Sequence, residues 1–196
     1  MLQFLRDFKG IMYAIKHSKD DVRLTGNVRL EHFRDGECLY DHWMNKPNIF
    51  TTEGMAFLNN VMFHDIAKPS IVTVSPWRVG IFKNNVTPAL GDTAAAKLGS
   101  GGTYGECQDA DYDSPATNKP EHVTVDTATA VITNAAAKAE FTIAATITVY
   151  GAFLGLTAAK VTASGTLMCA KKFDTARPVV DNDVLAVTYQ ITCSSS

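Results

Sequence analysis

A chain of 196 residues with 46% hydrophobic and 19% charged side chains is long enough for one sizeable core and too apolar for global disorder. Eighteen Lys and Arg against twenty Asp and Glu leave a formal net charge of −2. That balance excludes the basic footprint by which nucleic-acid binders neutralise phosphates. Arg6, Asp7 and Lys9 interrupt the first apolar residues before a signal-peptide core can form, and no apolar run nears the ~20 residues that span a bilayer. A soluble protein is expected.

Residues 2–18 read as an amphipathic helix. Phe4, Phe8, Ile11, Met12 and Ile15 recur at spacings of three and four, with Arg6, Lys9 and Lys16 largely elsewhere. Gly10 weakens it by about 1 kcal/mol relative to alanine. The stripe Phe4, Phe8, Ile11 and Ile15 is the candidate interaction site, and residues 1–20 are read as an arm before a single β-domain over 21–196. The stripe packs either on its own domain or on another subunit.

Residues 22–43 predict a β-hairpin about Asp35-Gly36, a pair able to take the positive φ of a type I′ turn. Pairing about that turn sets Phe33 opposite Cys38, Glu31 opposite Tyr40 and Arg29 opposite His42. The other face then carries Val28 with Trp43, Leu30 with Asp41 and His32 with Leu39. Val28, Leu39 and Trp43 make this second face the expected core side, where Asp41 fits poorly. A helix follows near 52–63, capped by Thr51 or Thr52 with Glu53 at its positive end. Met55, Leu58, Val61, Met62 and Phe63 form its expected buried face.

Residues 77–82 predict a strand with Trp77, Val79 and Ile81 on one face. A long loop follows over 83–105, with one helical turn near 92–96 and a flexible glycine run at 99–102. Residues 109–120 read as irregular chain, and the loop at 83–120 is the expected partner surface. Further strands are expected within 122–133 and 165–173, with Pro178 at an edge or a strand start.

The clearest signal is period two over 139–156. Phe141, Ile143, Ala145, Ile147, Val149 and Phe153 share one parity against Thr142, Thr146, Thr148 and Tyr150 on the other. Residues 184–193 repeat it, with Leu185, Val187, Tyr189, Ile191 and Cys193 pointing one way. Two such strands need a covering layer. The fold class is therefore mainly β, an antiparallel β-sandwich of jelly-roll type, with an N-terminal amphipathic helix and one short internal helix.

Catalytic and metal motifs fail on their spacing. Asp109, Asp111 and Asp113 begin like a calcium loop, but Ser114 and Pro120 stand where glycine and glutamate are required. His17, His32, His42, His64 and His122 form no HExxH or HxH pair, and His64-Asp65 has no nucleophile elbow to serve. The glycine run lacks the lysine of a phosphate loop. Cys38, Cys107, Cys169 and Cys193 lie too far apart for a CxxC zinc pair and read as reduced, buried small hydrophobes. Lys171, Lys172 and Arg177 need no ligand beyond strand alternation. Neither an enzyme nor a metal or other cofactor is expected.

Three stretches together carry a resemblance. They are VRLEHFRDGECLYDHWMNKPNIFTTEGMAFLNNVMF, then WRVGIFKNNVTPALGDTAA, then KAEFTIAATITVYGAFLGL with the later FDTARPVVDNDVLAVTYQI. Their order over about residues 25–193 resembles small structural proteins of tailed bacteriophage virions, among head decoration and tail-associated proteins. The resemblance is one of layout, and it implies no catalytic or binding residue. It implies a virion component made in the host cytoplasm, with a head decoration (cement) protein bracing capsid subunits as the leading role. The partners would be the major capsid protein and further copies of itself, as a trimer or dimer. The alternative is a tail, neck or fibre component with a receptor- or glycan-binding role, and a phage hydrolase is the third reading.

Overall fold

The computed structural model describes residues 22–64, 77–125 and 128–195. The expected arm over 1–20, with Phe4, Phe8, Ile11 and Ile15, lies outside the described residues. What is described is mainly β, in two antiparallel sheets consistent with a β-sandwich. The larger sheet orders its strands β2 (Glu37–Trp43), β1 (Val22–Arg34), β10 (Val184–Ser195), β7 (Ala139–Ile143) and β5 (Tyr112–Ser114), with β6 (Val131–Thr133) also on β10. The smaller orders β3 (Ile49–Phe50), β9 (Leu167–Val179), β8 (Ile147–Gly155) and β4 (Arg78–Phe82). Val28, Leu30, Phe141, Leu185 and Val187 of the first sheet meet Val79, Ile81, Val149, Leu154 and Cys169 of the second in one buried core.

The 139–156 stretch is not one strand. It forms β7 in the larger sheet, turns at 144–146, and continues as β8 in the smaller. Phe141, Ile143 and Val149 are inward as the period predicts, while Ile147 is only half-buried. Beyond Val149 the parity inverts. There β9 carries four residues, 173–176, opposite Tyr150 alone, since Val149 faces Arg177 and Gly151 faces Lys172. Ala152 and Leu154 consequently enter the central core, and Phe153 turns to the outer face of the sheet. The expected inward Phe153 is corrected on that account.

That outer face is itself covered. The loop over 83–105 folds back with α2 (Ala94–Lys97), placing Ala94, Leu98 and Tyr104 on Phe82, Phe153 and Leu167. Two reciprocal pairs make this packing possible, for Phe153 lies across the ladder from Gly80 and Phe82 from Gly151. A Cβ on either glycine would collide with the facing ring. The glycine run expected to be flexible is tied into this cover. Gly99 donates to Glu106 Oε2 at 2.9 Å and Gly102 to the Gly99 carbonyl at 3.1 Å.

The hairpin forms about Asp35 and Gly36, both at positive φ (50° and 80°), and Phe33 pairs with Cys38 as expected. Leu39 is then an extra, unpaired residue, so His32 meets Tyr40, Glu31 meets Asp41 and Arg29 meets Trp43. A bulge of one residue exchanges the faces of everything beyond it. Leu39 and Trp43 are 44% and 38% exposed, correcting the expected core side, while Val28 and Leu30 are fully buried. Asp41, released to the outer face, binds Arg29 through two bonds of 2.6 Å.

Thr51 caps α1 (Thr52–Phe63), its hydroxyl accepting from Gly54 N at 3.0 Å. Gly54 lies so close to the Met168 backbone that a Cβ would clash, and this contact sets the helix rotation. Leu58 and Phe57 pack inward, whereas Met55 and Phe63 of the expected buried face are exposed. Glu53 serves other elements, since its Oε2 accepts from Ala94 N at 2.9 Å and Leu167 N at 2.7 Å. Asn134 gives the larger sheet an unusual rung. Its side-chain amide accepts from Tyr189 N and donates to the Val187 carbonyl, filling the gap on β10 between β6 and β7.

Candidate interaction site

Polar side chains in the interior are used as cross-links. Glu106 and Lys119, each with a side chain 1% exposed, pair at 2.8 Å. Glu106 Oε2 also accepts from Gly99 N and Thr162 N, and the Lys119 ammonium also donates to the Ala159 carbonyl. Burial pulls the Lys119 ammonium below its usual range, and Glu106 opposes that pull. One ion pair thereby fastens three loop segments to the outer face of the smaller sheet.

A second cluster closes the end of the molecule that carries the β1–β2 and β9–β10 turns. The Asp183 carboxylate, fully buried, accepts from Arg34 at 2.7 and 2.8 Å and from Val180 N at 2.8 Å, and it meets His32 Nε2 at 2.9 Å. The Arg34 guanidinium first, then the Val180 N–H and His32, hold this carboxyl well below the usual carboxylate range. Arg177 lies 3.2 Å from His32 Nδ1 and over the Tyr40 ring. Both imidazole nitrogens are thus engaged by charged partners, and the cluster anchors the two turns.

The opposite end is apolar and open. Leu24 and Cys193, directly paired across β1 and β10, form one rim of a cleft of about 270 Å³. Phe50, Leu154 and Met168 line it from the smaller sheet, Leu58 from α1, and Trp77, Ile132 and Ile191 complete the wall. His122 and Thr124 are polar groups within it; His122 is 3% exposed and 3.5 Å from the Tyr189 carbonyl, with burial lowering its pKa. The volume lies below the ~300–1,000 Å³ of ordinary ligand pockets. It suits one or two apolar side chains better than a cofactor.

A second apolar surface lies on β2, which ends the larger sheet and has no further strand beside it among the described residues. Leu39 and Trp43 project there. The loop at 83–120, expected to meet partners, gives Ala94, Leu98, Tyr104, Cys107 and Tyr112 to the core and keeps exposed stretches that include Leu90. Cys107 and Cys169 are buried as expected, with burial pushing both thiols up, but Cys38 and Cys193 are exposed. Asp111 of the discarded calcium motif binds the Lys83 ammonium at 2.7 Å. Among the described residues no three His, Cys, Asp or Glu side chains gather closely enough to hold a metal ion.

Sequence reasoning singled out neither the cleft nor the ionic clusters, because their members are scattered from Leu24 to Cys193 and meet only in the fold. Comparison with protein-family models, curated proteins and solved structures finds no match.

Proposed function

We propose that this chain is a structural protein of a tailed-bacteriophage virion, a head decoration (cement) protein on a jelly-roll-like scaffold that braces capsid subunits. It acts by binding, as one of many copies, with no cofactor. The observation that carries this reading is the division of the surface chemistry. Buried ionic groups are paired internally, while apolar side chains stand exposed on the unpartnered edge strand through Leu39 and Trp43. An unpaired edge with apolar side chains is a template for association with another chain. The resemblance in layout to virion proteins, read from the sequence over about residues 25–193, points the same way.

The test is addition of purified protein to phage heads that lack it, followed by sedimentation and counting of bound copies. Decoration requires saturable binding on the order of hundreds of copies, set by the symmetric lattice. Trp43→Glu should reduce binding or self-association while the fold is retained. A few copies at a single vertex would assign the chain to the neck or tail, and no binding to heads or tails would remove the virion reading.

A further inference from the structure

We propose that the apolar cleft at the Leu24–Cys193 end is the seat of the chain's own N-terminal stripe, Phe4, Phe8, Ile11 and Ile15. The inference stands on cleft and sequence alone and does not depend on the virion reading. Twenty-one residues precede Val22, where the described chain begins by pairing with Ser195 at the cleft's end of the sheet. The arm is therefore tethered within two residues of Leu24, a rim residue of the cleft. A helix over 2–18 would be ~25 Å long, and residues 19–21 give it ~10 Å of connecting chain. That link is long enough to turn the stripe onto the cleft and too short to carry it far away.

The chemistry of the two surfaces matches. The cleft presents Leu24, Trp77, Ile132 and Ile191 with few polar groups, and the stripe presents two phenylalanines and two isoleucines. A volume of about 270 Å³ seats one or two side chains of the stripe at a time. Tethering at the rim keeps the local concentration of the arm in the millimolar range, so even weak apolar docking is populated within one chain. A second copy's arm competes only at comparable protein concentration.

Cys193 gives the test, because it is exposed and sits on the cleft. In the full chain carrying Cys38→Ser, cysteine replaces Phe4, Phe8, Ile11 and Ile15 in turn, with Arg6→Cys on the far side of the helix as control. Each variant is oxidised with glutathione disulfide at low protein concentration. At one or more stripe positions, a disulfide within the monomer should form on the order of tenfold faster than at Arg6. It is read from gel mobility without reductant and from peptide mass. Independently, Phe8→Asp should raise the rate at which Cys193 reacts with a maleimide, in protein whose circular dichroism is unchanged. Equal rates at Arg6 and the stripe, cross-links only between chains, or a Cys193 rate indifferent to Phe8→Asp would overturn the assignment. Head binding that persists or fails in these variants is scored separately and bears on the virion reading alone.

Discussion

The two ends of the larger sheet solve the problem of closing a two-layered β-structure in opposite ways. Nine residue steps along the β1–β10 ladder take Leu24–Cys193 to Phe33–Val184, a distance of ~30 Å. At the turn end a single buried carboxylate, Asp183, gathers Arg34, His32 and the Val180 N–H. At the other end apolar side chains line an opening, with His122 as the buried titratable group. Charge fastens one end but only with every partner in place. Apolar surface tolerates incompleteness and leaves room for another segment.

The largest difference should appear on mutation. Asp183→Ala strands Arg34, His32 and the Val180 N–H around an empty position and should cost about 3–5 kcal/mol in denaturant unfolding. At the open end Ile191→Ala, already half-buried against a cleft, should cost only about 1 kcal/mol. Equal costs would mean the cleft end is as tightly packed as the turn end.

Acid should separate the ends as well. Both groups have folded pKa values below their unfolded ones, so the unfolded chain binds the extra proton and stability falls as pH falls. For His122 the loss begins below about 6.5, and for Asp183 below about 3.9. Unfolding free energy measured across pH should therefore decline in two windows. His122→Gln should flatten the upper one, and Asp183→Asn should reduce the lower. A single window in the parent protein would show that one of the two groups is not coupled to folding. The smallest expected effect is a gain. Thr124→Ile adds apolar volume in the cleft and should raise stability by about 0.5–1 kcal/mol, unless the space is already filled by the arm, in which case it should destabilise.

Where side-chain period alone decides the outcome, the fold was legible in advance. Phe141, Ile143, Leu185, Val187 and Tyr189 are buried as their alternation requires, and Asp35-Gly36 and Thr51 act as turn and cap. The failures share one cause. A bulge at Leu39 and the extra residues of β9 opposite Tyr150 add one and three residues, odd numbers against a repeat of two, and nothing in local composition announces them. Those two shifts moved Trp43 and Phe153 to unexpected faces. The candidate site was less legible still. Glu106 and Lys119, or His122 and Cys193, are far apart along the chain, so only the completed topology reveals that they meet. The stripe at Phe4, Phe8, Ile11 and Ile15 was visible by its spacing, whereas the cleft that would receive it was not.

The pairing of β1 with β10 also governs when this protein can fold. Twelve residue pairs join the first described strand to the last, from Val22 with Ser195 to Phe33 with Val184. During synthesis β1 must wait for everything up to Val184 and beyond to be made before its main partner exists. Such non-local pairing carries a large loop-closure cost and slows folding. The β1–β10 ladder can form only after residues 184–195 have left the ribosome, so β1, with its apolar Val28 and Leu30, stays unpaired on that side until then. Nascent chains stalled before residue 184 should remain protease-sensitive throughout β1, and chaperone dependence should concentrate in that interval.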